Sequence, residues 1–126
     1  MSEKETCELN KWIAEGVMGW RKATQVELDA QSRRDDWWIK PGGNSKNSTH
    51  MQPFLPFFTA DSAAAMDVLK KCADKVGLTR HAVSLACNQG TWCVCEHPPI
   101  GNCINHAMAE TPELAICLFA KKLFSK

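Results

Sequence analysis

One short stretch near the end of the chain limits the fold more than any other. Thr111-Pro112-Glu113 opens a helix: a hydroxyl caps the first turn, a proline sits where no N–H is needed, and an acid lies near the positive end of the dipole. Leu114, Ala115, Ile116, Leu118, Phe119 and Leu123 then make this helix, 111–124, apolar on most of its sides. Such a helix must be covered on several faces at once. Its longest apolar run, Leu114 to Ala120, is closed by Lys121-Lys122 and falls far short of the ~18–20 residues that a bilayer needs. The cover has to come from the rest of the protein.

Two further helices are expected to supply part of it. Ser2 and Glu5 have the spacing of a capping box, and Leu9, Trp12, Ile13, Val17 and Trp20 form one apolar stripe, so a helix runs over about 3–18. Gly16 weakens that helix without ending it. A second helix, 61–76, has Thr59 as N-cap, Asp61 in its first turn and Gly77 as its stop. Ala65, Val68, Leu69, Cys72 and Val76 are its buried stripe.

Residues 81–97 read as a hairpin turning at Gln89-Gly90. Alternation puts Thr91, Cys93, Cys95 and His97 on one face of the second strand, and Trp92, Val94 and Glu96 on the other. Short strands are expected at Trp37–Lys40 and around Ile104–Ala107. Residues 21–34 are polar without a period. Pro53 and Pro56 bracket Phe54-Leu55-Pro56-Phe57-Phe58 and keep it from being an ordinary central strand. The GGNSKNST stretch, 42–49, offers nothing to a core, which predicts a flexible loop over 42–52. The fold class is α+β: a small antiparallel sheet, the 81–97 hairpin plus short strands, packed with three helices in an α/β sandwich.

With 126 residues the chain is expected to be a single domain, 1–126. Hydrophobic residues at 44% and charged ones at 23% exclude a disordered or fibrous class. Fifteen Lys+Arg against 14 Asp+Glu leave a net charge of +1, with neither end strongly basic, so direct nucleic-acid binding is not expected. No membrane contact is expected either. The polar, acidic start carries no leader pattern, and the odd count of seven cysteines favours free thiols in a reducing cytosol. That predicts a cytoplasmic protein.

Candidate chemistry is sparse. Cys93, Cys95 and His97, followed by Cys103 and His106, offer donors that zinc accepts, but paired C-x-x-C knuckles are absent and strand cysteines are ordinary small core residues. They are weak metal candidates, and no metal or other cofactor is expected. A cysteine nucleophile with His97 or His106 as base would need a thiolate-stabilising setting that a hairpin strand does not supply. Adjacent Asp35-Asp36 suit a solvated turn. The sequence matches no phosphate-loop, dinucleotide, zinc-protease or nucleophile-elbow pattern. No catalytic residue is assigned, and a non-enzymatic protein is expected. Arg33, Arg34, Trp37 and Trp38 combine the residue types enriched in interface hot spots and have no clear place in a core stripe, so they are the candidate partner-binding residues. Phe54, Phe57 and Phe58 share the ambiguity between core and interface.

Three segments carry a resemblance. Glu15-Gly16-Val17-Met18-Gly19-Trp20, Phe57-Phe58-Thr59-Ala60-Asp61-Ser62-Ala63-Ala64-Ala65 and Ala109-Glu110-Thr111-Pro112-Glu113-Leu114-Ala115-Ile116-Cys117-Leu118 resemble, in this order, three helix signatures of the phage ABA-sandwich family. Ala60 stands where that pattern has Thr, the 42–49 loop is longer, and the Cys93/Cys95/Cys103 cluster lies outside the pattern. The resemblance implies an α/β sandwich of bacteriophage or prophage origin and brings no catalytic residues. It leads to the expectation of a small phage accessory protein acting by binding a host protein or complex, such as a CRISPR defence system. The alternative is a small-ligand binder, for instance a sponge for a nucleotide immune signal.

Overall fold

The computed structural model describes residues 2–32, 37–44, 46 and 50–125. Helix α4 (Pro112–Phe124) occupies the centre. Thr111 caps it through its hydroxyl, which accepts from the Leu114 N–H at 3.2 Å, and Pro112 takes the first helical position. Ala115, Ile116, Cys117, Phe119, Ala120 and Leu123 are all buried. The elements around it are α1 (Glu3–Ile13), α3 (Ser62–Gly77), β5 (Thr91–His97) and β6 (Asn105–Ala109).

β4 (Ala82–Asn88), β5 and β6 form an antiparallel meander. Gln89 and Gly90, at φ 52 and 80, make the tight turn between β4 and β5 that the right-handed strand twist favours. One face of this sheet meets α3 and α4: Val94 is 0% exposed, Glu96 is buried, and Val83, Leu85 and Trp92 are half-buried. The other face carries exposed Ala82, Ser84, Ala86, His106 and Met108, with half-buried Cys93, Cys95 and His97 among them. The expected alternation holds along β5. Glu96 is held on the covered face by His81, whose Nδ1 lies 2.5 Å away, and by the Asn105 amide at 2.8 Å. A buried carboxylate requires such partners.

The first helix follows the expected span in two parts. α1 is regular to Ile13, and Ala14–Met18 widens into a π turn that ends at Gly19, where φ is 82. The Ser2 hydroxyl accepts from the Glu5 N–H at 3.2 Å, and the Glu5 carboxylate accepts from that hydroxyl. In α3 the cap is Asp61, accepting from the Ala64 N–H at 3.0 Å, and not Thr59. Thr59 is itself buried, and its N–H is bound by the Asn10 side chain at 3.0 Å.

A second, smaller sheet was not legible as such. β1 (Arg21–Lys22), β2 (Trp38–Ile39) and β3 (Met51–Gln52) pair antiparallel, so part of the 42–52 segment expected as loop is strand. The expectation for residues 45 and 47–49 lies outside the described residues. A short helix, α2 (Gln25–Ala30), lies within the polar 21–34 segment that shows no period. Its capping box is complete, with the Thr24 hydroxyl and the Glu27 carboxylate each binding the other's backbone N–H. Arg21 grips the same carboxylate through two bonds of 2.7 and 2.9 Å. Ala23, Leu28, Ile39 and Met51 make a small core of their own.

Replacing Phe119, which is 0% exposed on α4, by Ala is expected to cost about 3–5 kcal/mol in denaturant unfolding. Two buried thiols set a pH limit. Loss of solvent pushes Cys72 up to about 12 from the ordinary 9.0; the same cause pushes Cys117 up to about 12, with neighbouring Cys72 and Glu113 adding to it. Between these values the unfolded chain binds fewer protons than the native one. Stability should therefore fall as pH rises above 9, by up to about 1.4 kcal/mol per pH unit for each thiol. Unfolding curves taken between pH 8 and 10.5 should show this slope, and Cys117→Ala should reduce it.

Candidate functional site

The segment between β3 and α3 cannot continue the small sheet, because Pro53 and Pro56 lack the N–H groups a ladder needs. It runs beside α1 as an irregular ridge. The Gln52 side-chain amide donates to the Phe54 carbonyl at 2.6 Å. Beyond the ridge, Phe58 is 2% exposed in the main core, and the Asn10–Thr59 bond ties the chain to α1. On the ridge itself Phe54 and Phe57 are left 75% and 65% exposed.

Ridge and helix enclose a cleft of about 290 Å³. Pro53, Phe54, Leu55, Pro56 and Phe57 make one wall, Cys7, Asn10 and Lys11 the other, and Trp38 also lines it. Among the described residues, Lys11 is the one charged group in the lining. Cys7, Asn10 and Lys11 fall at i, i+3 and i+4, so they share one side of α1. That spacing was present in the sequence, but nothing there linked this side of the helix to the proline segment.

Of the four residues expected to contact a partner, the two described ones, Trp37 and Trp38, face different ways. Trp38 is 9% exposed and belongs to the main core, besides lining the cleft. Trp37, half-buried, packs on the small core beside Ile39. The period of two explains the split: residues 37 and 39 share a face and Trp38 takes the other. Arg33 and Arg34 lie outside the described residues.

The weak metal candidates are partly gathered. The Cys93 and Cys95 sulfurs are 3.3 Å apart, and the exposed Cys103 thiol donates to the Asn105 carbonyl at 3.1 Å at the start of β6. His97 is instead turned to the Ser84 hydroxyl, 2.7 Å from Nε2, while His106 is exposed opposite Cys95 on β6. Among the described residues, no group of three or more His, Cys, Asp or Glu side chains is arranged to hold a metal ion. All seven cysteines are free thiols. No helix among the described residues is long and apolar enough to cross a membrane.

The phage ABA sandwich domain family matches residues 11–120. The chain belongs to that family. A crystal structure of a phage protein from Bacillus cereus ATCC 14579 superposes with a TM-score of 0.56 at 19% identity, covering 94% of this chain and 86% of that one. At that identity the likeness is one of fold. No curated protein matches the sequence. The ABA-sandwich assignment fits the four helices and two small antiparallel sheets described above, and it adds no active-site residues.

The Asn10–Thr59 bond joins the helix wall of the cleft to the chain just past the ridge. Asn10→Ala would leave a buried N–H without its partner and is expected to cost about 1–3 kcal/mol. Proteolysis or amide exchange within 53–59 should rise in that variant more than in α4.

Proposed function

We propose that this ABA-sandwich protein is a non-enzymatic phage accessory protein that binds a host macromolecule through the Pro53–Phe57 ridge. The observation that carries the reading is the exposure of Phe54 and Phe57 on a segment whose far end is tied to α1 by the Asn10–Thr59 bond. Burying either ring would add about 1.5–3 kcal/mol to folding, and the domain forgoes it. Adjacent exposed aromatics on a held backbone bring contact area with little ordering cost, which suits a protein surface. Two prolines reduce that cost further.

A small ligand is the less supported alternative. The cleft volume lies at the lower end of ordinary ligand pockets, and among the described residues its lining offers one cation and an amide already engaged with Thr59. A nucleotide signal would want more phosphate donors than that. A host protein complex is therefore favoured over a sequestered nucleotide, and a defence system such as a CRISPR complex is the target class to test first. Action in the host cytoplasm goes with this proposal.

A photo-crosslinking residue at position 54 or 57, in a bacterial host expressing the protein, should trap one host macromolecule. The purified pair should then associate at fixed stoichiometry. Phe54→Ala should weaken it by ~30-fold, about 2 kcal/mol, while the melting temperature stays unchanged. Undiminished binding by a Phe54→Ala, Phe57→Ala double variant would contradict the proposal. Native mass spectrometry after exposure to infected-cell extract separates the alternatives, since a bound nucleotide would favour the ligand reading.

A further inference from the structure

The uncovered face of the β4–β6 sheet holds a group of side chains that the binding proposal does not use. Its outward positions are mostly small or polar: Ala82, Ser84 and Ala86 on β4, and His106 and Met108 on β6. Into this setting β5 projects Cys93 and Cys95 side by side, as the period of two demands, with their sulfurs 3.3 Å apart. Beyond the β5 end the chain turns through Pro98–Asn102 and brings the exposed Cys103 back beside Cys95. Cys103 donates to the Asn105 carbonyl at 3.1 Å, which fixes its position at the start of β6. Cys93 and Cys95 are thus in direct contact, and Cys103 is near enough to help raise the Cys95 thiol.

Metal binding and thiol redox chemistry are the two uses such a group has, and the geometry separates them. Tetrahedral zinc at the usual 2.3 Å bond length would hold its sulfurs ~3.8 Å apart. The Cys93–Cys95 separation is shorter than that, His97 is engaged with Ser84, and among the described residues no group of three or more His, Cys, Asp or Glu side chains is arranged to hold a metal. A disulfide needs only two sulfurs brought from contact to about 2.05 Å.

We propose that Cys93, Cys95 and Cys103 form a thiol–disulfide site on the open sheet face, in which Cys95 closes an intramolecular disulfide with one of its two neighbours. The oxidant is a small disulfide of the glutathione class. The exposed Cys103 thiolate attacks one sulfur of that disulfide, cleaving its S–S bond and releasing one thiolate. The Cys95 thiol then gives up its proton to solvent and attacks Cys103 Sγ. The Cys95–Cys103 bond forms and the second small thiolate leaves. The protein has lost two electrons and two protons, and the small disulfide has become two thiols. Cys93, in contact with Cys95, can exchange into the bond by the same displacement and release Cys103. Solvent loss, followed by the hydrogen bonds to Cys93 and Cys103, pushes the Cys95 thiol up to about 12. This makes Cys95 the slow, resolving partner and leaves the first attack to its neighbours.

The test uses the whole chain in a glutathione redox series, with free thiols blocked by alkylation and the products mapped by peptide mass spectrometry. The expected product is a disulfide containing Cys95, formed while exposed Cys7 and Cys87 carry only mixed glutathione disulfides. Steady-state glutathionylation of Cys103 should be at least ~10-fold below that of Cys87, because a neighbouring thiol resolves it at high effective concentration. Cys95→Ser should abolish the internal disulfide and raise Cys103 glutathionylation to the Cys87 level. Cys93→Ser should leave the Cys95–Cys103 bond intact. Circular dichroism checks that each variant is folded. Equal glutathionylation of Cys103 and Cys87 in the unaltered protein, with no disulfide at Cys95, would overturn the proposal. So would stoichiometric zinc binding that protects all three thiols from alkylation, which would make the group a metal site instead.

Discussion

The burial of α4 is the constraint on which the rest of the structure depends. A helix with apolar groups on most sides is unstable in water unless several elements cover it. The meander covers it through β5 and β6, α3 lies beside it, and α1 with its π turn closes over it. Each of these elements is short or amphipathic and gains its own stability from that contact, in line with the general rule that packing outweighs propensity. Phe119, Ile116, Cys117 and Val68 are essentially without exposure, which places the centre of the core between α3 and α4.

From that centre the cleft follows. α1 is held against α4 through Leu9 and Ile13, which leaves Cys7, Asn10 and Lys11 to face elsewhere. Asn10 reaches the backbone of Thr59, and so the helix that closes the core also anchors the ridge. Phe58 turns inward while Phe54 and Phe57 do not. The open sheet face has a related origin. Helices cover one side of the meander only, so alternation along β5 delivers Val94 and Glu96 to the core and the two cysteines to the uncovered side.

Elements with strong local signals were legible in the sequence. α4, α3 and the 81–97 hairpin carry a cap, a stripe or a two-residue turn, and each lies where those signals put it. β5 was read to the correct face because alternation is a local property. The small sheet was not legible, since two-residue strands have no periodicity and their pairing joins residues far apart in sequence. α2 was missed because six polar-rich residues show no stripe, although Thr24 and Glu27 have capping-box spacing. The cap fell to Asp61 and not Thr59 because the chain first turns on the Phe57 carbonyl, which binds the Ala60 and Asp61 N–H groups, and the helix begins only at Ser62. The aromatic site was half legible: Phe54 and Phe57 stood out as unplaced, but only tertiary packing put Trp38 in the core and left those two outside.

Native-state hydrogen exchange tests the dependence on α4 most directly. If α4 is the element around which the others are stabilised, its amides should exchange only by global unfolding, with a free energy equal to that from denaturant melts. The β5 amides that face it should share that value, and the 53–58 ridge should exchange by smaller openings. Exchange of α4 at a lower free energy than the β4–β5 hairpin would show that the sheet stands without the helix, and would contradict the account.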